Sequence, residues 1–272
     1  MRPTPPIVIL NVFNSFIHLT SIPPRRTCTR DLNPSLVHHT RLSFIESLDI
    51  PPVETCLAWK LAAVNGRLLQ SFVGKLDPAH KDDVLDSTLL AQLAANQAGG
   101  DDKDKWYKKF KEVLENIGWV VESFSFTEIV NVNTYGSVDK AVIAILDPHL
   151  SPEAGEVVKA TIYAMKRRVN AEANAIFQEN AWDGQTANFQ IGVASASDGD
   201  NVRLHIGGFN YAATGAAGNV LFFKFGHCAV KFTCAAQTMV LNEEIYNMVR
   251  DRVKEKIRTA IQSYRKDVAV RF

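Results

Sequence analysis

The sequence predicts a layered α/β protein of the α+β kind, in which a central antiparallel sheet is covered by helix layers on both faces. Three observations point there. Apolar residues recur every three to four positions through most of the chain after Pro52, the spacing of a helix face packed on a core. In the third quarter apolar and polar residues alternate between turn-forming clusters, the spacing of strands joined as hairpins. The run Val220 to Phe225 is almost continuously apolar, which implies a strand buried on both faces.

The elements follow in order. Leu57, Leu61, Val64, Leu68 and Phe72 share one helical face, which predicts a first helix from about Val53 to Val73. Asp77-Pro78 supplies a cap and a proline at the first helical position. Leu85, Leu89 and Leu93 then mark a short, packed second helix that Gly99-Gly100 stops. Trp106, Phe110, Val113, Leu114 and Ile117 form a third, ended by Gly118 in a left-handed conformation, with its lysines facing water. From Trp119 to Val130 the period becomes two, and aromatic and β-branched residues predict a strand. Helices 137–146 and 152–178, the second capped by Ser151-Pro152, form an antiparallel pair. Phe189, Ile191 and Val193 alternate with polar or small residues, and the turn Asp198-Gly199-Asp200-Asn201 leads to Val202, Leu204 and Ile206. Val220 to Phe225 is the next strand, and Cys228, Val230, Phe232 and Cys234 share one face of a fourth. A last helix starts at the Asn242 cap and buries Ile245, Val249, Val253, Ile257 and Ile261.

The first fifty residues are a different kind of sequence. Eight of the 11 prolines lie in the first 52 positions, and the first glycine is Gly66. Residues 1–50 are expected to be a disordered, proline-rich extension, and 51–272 a single domain. The apolar stretch from Ile7 to Leu19 is broken by Asn11, Asn14 and His18, so it makes no clear signal peptide, although the arginines up to Arg30 also suit an organellar presequence. With 30 basic and 29 acidic side chains the formal charge is +1, which gives nucleic acid no global attraction.

The chemistry-bearing residues are few. The sequence lacks GxGxxG, GxxxxGK[ST], GxSxG and HExxH, so phosphate-loop, serine-hydrolase and zinc-protease arrangements are not expected, nor is any cofactor, metal or catalytic centre. His205 and His227 would make an enzyme only if gathered with carboxylates. Asp198 and Asp200 resemble the start of a calcium loop, but Phe209 stands where its closing glutamate belongs. Cys228 and Cys234, ~20 Å apart along one extended strand, do not pair with each other there; they are core thiols or, in a sharper reading, acylation sites. Lysines 103 to 111, and Lys254, Lys256 and Arg258, form cationic surfaces that suit solvent or anionic lipid headgroups.

Certain segments resemble the Cyt-type cytolytic δ-endotoxins, whose fold is shared with volvatoxin-like cytolysins and an enterobacterial virulence factor. They are Trp119-Val120-Val121-Glu122-Ser123-Phe124, Ala141 to Leu146, Gln185-Thr186-Ala187-Asn188-Phe189, Gly207-Gly208-Phe209 and Asn219-Val220-Leu221-Phe222-Phe223, within a match of element order from about Val53 to Ile261. The resemblance implies a water-soluble, secreted or released protein that binds membrane lipids, forms a homo-oligomer on the bilayer and permeabilises it. The strands expected to insert carry Phe189, Ile191, Val193, Leu221, Phe223, Val230 and Phe232. A non-lytic lipid or acyl-chain binding protein of the same fold is the alternative, with Cys228 or Cys234 carrying the acyl group.

Overall fold

The structure is a computed structural model that describes residues 61–99, 102–129, 135–196, 201–212, 219–225, 230 and 232–270, with 125–129 by backbone alone. The chain divides into Met1–Cys56 and Leu57–Phe272, and every described residue belongs to the second unit. The expected N-terminal extension, 1–50, lies outside the described residues.

The first element corrects the sequence reading. In place of the later part of a helix over 53–73 there are two strands, β1 (Ala62–Asn65) and β2 (Leu68–Val73). They pair antiparallel with Asn65 opposite Leu68 across a tight turn, in which Gly66 takes φ 62°, a left-handed conformation open to glycine at little cost. Every residue of both strands is buried, so no period of two marks them, and their apolar positions imitate a helical spacing.

Helix α1 (Pro78–Gly99) is 22 residues long, longer than its leucines indicated; Asp77 Oδ1 accepts the Ala79 N–H at 2.7 Å to start it. Helix α2 (Lys103–Asn116) is capped by Asp102, which accepts from Lys105 N at 3.1 Å, and ends before Gly118 at φ 110°. Strand β3 (Trp119–Ile129) and helix α3 (Val138–Leu146) follow as expected.

The long helix predicted over 152–178 is interrupted. α4 (Pro152–Ala164) and α5 (Ala171–Ala181) are separated by a short 3-10 turn at Arg168–Asn170. Asn170 explains the break: its Nδ2 donates to the Ala164 carbonyl at 2.8 Å, and its Oδ1 accepts from Ala269 N at 2.8 Å. The side chain thus closes α4 and ties the corner to the C-terminal segment.

The hairpin β4 (Thr186–Ala196) and β5 (Val202–Ala212) is present, in register from Thr186 opposite Ala212 to Ala196 opposite Val202. Residues 220–225 are not a strand. They form a turn docked at the start of α3, where Val138 N donates to the Phe223 carbonyl at 3.0 Å and Phe225 N to the Gly136 carbonyl at 3.2 Å. Their apolar density comes from plugging the core. The last long strand, β6 (Phe232–Leu241), starts later than predicted; α6 (Glu243–Ile257), the short α7 (Ile261–Tyr264) and β7 (Arg265–Asp267) complete the chain.

The sheet has seven strands in the order β3-β6-β5-β4-β2-β1-β7. It is mixed: β2 runs parallel to β4, and the other neighbouring pairs are antiparallel. Helices cover both faces, as the sequence predicts. Leu69, Val73, Phe189, Ile191, Val193, Phe209 and Phe232 pack with α3, α4 and α5 on one face. Phe72, Ala194, Leu204, Ile206, Met239 and Leu241 pack with α1, α2 and α6 on the other. Burying an apolar side chain of this size stabilises the fold by about 1.5–3 kcal/mol each.

Candidate functional site

The residues predicted to meet lipid fall into one region. Phe189, Ile191 and Val193 line the α3–α5 face of β4, while Phe232 lies on the same face of β6; all four are buried, as are Leu221 and Val230. Phe223 is partly buried against them. Only Phe189, Ile191, Val193 and Phe232 are on strands, which corrects the strand assignment of Leu221, Phe223 and Val230. The rings form a continuous cluster: Phe189 stacks on Phe209 at 5.4 Å, Phe209 meets Phe232 at 5.8 Å, and Tyr211 stacks on Phe223 at 5.8 Å. Phe177 of α5 meets Phe189 edge-on at 5.8 Å and so seals the cluster from the helical side.

The opposite face of the same strands is more polar than the sequence pattern alone announced. Gln70 of β2, Gln190 of β4 and Gln237 of β6 are all at most 2% exposed and point toward the α1–α2–α6 side. Neither amide atom of Gln190 or of Gln237 has a hydrogen-bond partner among the described residues, and Gln70 Oε1 has none either. A buried polar group left so costs about 1–3 kcal/mol. Gly192 makes room for one of them: a Cβ there would sit 2.3 Å from Gln70 Oε1. Tyr107 of α2 lies over Gly208 nearby, with its hydroxyl equally unpartnered and its pKa pushed up by burial. Along β4 the two sides differ, Ala187, Phe189, Ile191 and Val193 against Asn188, Gln190, Gly192 and the small apolar Ala194. β5 does not repeat this, since Val202, Leu204 and Ile206 are apolar on the glutamine side.

The remaining candidates are scattered. Cys234 sits in β6, 3% exposed, and burial pushes its thiol up to about 12. Cys228 and His227 lie outside the described residues, as do Asp198 and Asp200. His205, on β5, is partly buried and hydrogen-bonded to Thr238, Nδ1 to Oγ1 at 2.9 Å. Its pKa is held down by burial, then by Arg203 and His149, with Glu122 acting the other way.

No family model matches the chain, and no curated protein sequence does. Solved structures do. The structure of the Evf virulence factor matches at 12% identity and a TM-score of 0.31, over 77% of this chain and 84% of that one. The activated Cyt2Ba monomer from Bacillus thuringiensis subsp. israelensis matches at 10% identity and a TM-score of 0.33, over 63% and 94%. At such scores the function has to be argued from this chain's own residues.

One cluster had no signal in the sequence. His80, Asp83 and Glu243 bring one ligand atom each to within 4.8 Å of one another. Their oxygens are already engaged: Arg250 Nε and Nη2 donate to the two Asp83 oxygens at 2.9 and 2.8 Å, and Nη2 also donates to Glu243 Oε2 at 3.2 Å. His80 bonds the other Glu243 oxygen. The set is an ion-pair lock joining the start of α1 to α6. The bonds between the two helices join residues 163 and 167 apart in the chain, so no local spacing revealed it.

Proposed function

We propose that the chain is a membrane-active, cytolysin-like protein whose helical layers part from the sheet, exposing strands that enter the bilayer as an oligomer and permeabilise it. The observation that carries this reading is β4. It has 11 residues, and a strand needs about 9–11 to cross a bilayer. Phe189, Ile191 and Val193 suit lipid on one side. Gln190 on the other is buried without a described partner, a cost in the closed particle that disappears where this side meets water. A β structure in lipid must pair all its backbone groups, which calls for several copies of the β4–β5–β6 unit in a closed assembly. Among the described residues no helix is long and apolar enough to cross a membrane, so the strands are the elements given this role.

The test is dye release from vesicles by the full chain, with neutral phosphatidylcholine and with anionic phosphatidylglycerol. Leakage from either is expected; intact vesicles of both kinds over a range of protein concentrations would sink the proposal. Gln190→Leu sharpens it. Filling the site with an apolar side chain is expected to stabilise the closed particle by about 1–3 kcal/mol in urea denaturation, while lowering leakage. A variant equally stabilised and fully lytic would show that β4 does not present this side to water.

A further inference from the structure

Away from the strands just described, a cleft of about 240 Å³ opens where α2, the end of α5 and the β1–β2 turn meet. Arg67 comes from the turn, Lys103 is the first residue of α2, and Trp182 and Asp183 follow α5. The Arg67 guanidinium is prearranged. It lies 4.8 Å from the centre of the Trp106 ring, and its Nη2 donates to Asn96 Oδ1 at 3.2 Å, the same oxygen that accepts from Trp106 Nε1 at 2.7 Å. Lys103 Nζ is steadied by a 2.6 Å bond to Asn210 Oδ1.

Neither cation forms an ion pair with a carboxylate among the described residues. Two acids also line the cleft, the exposed Glu179 and Asp183. Asp183 acts on both cations through its charge, but its oxygens accept from the backbone N–H groups of Gln185 and Thr186, at 2.8 and 2.6 Å, and from the Thr186 hydroxyl. Burial pulls the Arg67 pKa down, with Asp183 opposing it, so the charge is held in partly desolvated surroundings. A guanidinium has five N–H donors, and Arg67 spends one side-chain bond here. The remaining donors and an ammonium facing one recess are the arrangement that oxygen-rich anions bind best.

We propose that this cleft binds a compact organic phosphate, the phosphate oxygens taken by Arg67 and Lys103 and the organic part laid beside Trp182. Its size falls below the ~300–1,000 Å³ of sites for drug-sized ligands, which restricts the occupant to a phosphate with a short tail, whether a free metabolite or a phospholipid headgroup. The site does not depend on the membrane reading above.

Calorimetric titration of the full chain with glycerol 3-phosphate, phosphocholine and inorganic phosphate tests it. Saturable binding of at least one organic phosphate is expected, with Lys103→Gln weakening it about tenfold, the value of one lost charge-assisted bond. Arg67→Gln should weaken it at least as much; because Arg67 also packs on Trp106, the exposed Lys103 variant keeps the test decisive if the other misfolds. Lys159→Gln, on α4 and paired with Glu156, should change nothing. Absence of binding to all three compounds, or unaltered binding by Lys103→Gln, overturns the proposal. Inorganic phosphate binding as tightly as the organic ones overturns the part given to Trp182. Sedimentation with phosphatidylcholine and phosphatidylglycerol vesicles separates the two sources: displacement by soluble phosphocholine or glycerol 3-phosphate assigns the site to a headgroup, and vesicle binding indifferent to them, or absent, assigns it to a free ligand.

Discussion

At the scale of single residues the molecule sets paired buried groups beside unpaired ones, and the two respond oppositely to substitution. Asp83 is fully buried and depends on Arg250. Arg250→Met leaves that carboxylate uncompensated and is expected to cost about 3 kcal/mol, the low end for a buried pair because Arg250 is partly exposed; urea denaturation measures it. Gln237, like Gln190, has no partner to lose, so Gln237→Met is expected to raise the midpoint. His205 adds a pH dependence. It faces Arg203 on its own strand, Glu122 on β3, His149 after α3, and the Thr238 hydroxyl on β6. Its folded pKa lies below the ordinary 6.5, so the unfolded chain takes the proton first. Stability is therefore complete above 6.5 and declines as pH falls from there to the depressed folded value. Comparing urea midpoints at about pH 7.5 and about pH 5.5 should show the loss, and His205→Gln should shrink it. A wild-type slope unchanged by that substitution would assign the effect to other groups.

At the scale of elements, close approach decides what the sheet tolerates. A Cβ on Gly192 would meet Gln70 Oε1 at 2.3 Å and Leu68 Cδ1 at 3.1 Å. Gly192→Ala is expected to lower stability by about 1–3 kcal/mol, the usual range for overpacking, and Gln70→Ala in the same chain should restore most of it; simple additivity of the two losses would contradict that geometry. Such contacts also show why some elements were legible and others not. α2, β3, the β4–β5 hairpin and α6 carry their own signals, caps at Asp102 and Asn242 and clean alternation in β4, and they form where those signals lie. β1 and β2 are buried on both faces, which erases the period of a strand; the Asn65-Gly66 pair was their one local mark. The corner at Asn170 was hidden because its second partner, Ala269, is 99 residues away. The candidate site divides the same way. The apolar side of β4 shows in alternation, whereas the paired strands that bury Gln70, Gln190 and Gln237 on a common face exist only in the assembled sheet.

At the scale of the whole molecule, the membrane proposal requires a helical layer to leave the sheet, and one contact allows that to be blocked. Ser71 Oγ of β2 donates to Thr161 Oγ1 of α4 at 3.1 Å across the interface. Ser71→Cys with Thr161→Cys, in a chain whose Cys28, Cys56 and Cys228 are changed to serine, places two thiols within bridging reach. The oxidised form is expected to release no dye and the reduced form to release it; equal release by both would mean that α4 stays on β2 throughout. The parallel pairing of β2 with β4 has a further consequence, for how the molecule is made. β2 ends at Val73, while its neighbour begins only at Thr186. At about 5–20 residues per second, ribosomal synthesis keeps the β1–β2 hairpin waiting several seconds for the strand that shelters it. During that interval Leu68, Leu69 and Phe72 stand open to any chaperone or to a sister nascent chain, and the hairpin must be held apart until more than half of the polypeptide has emerged.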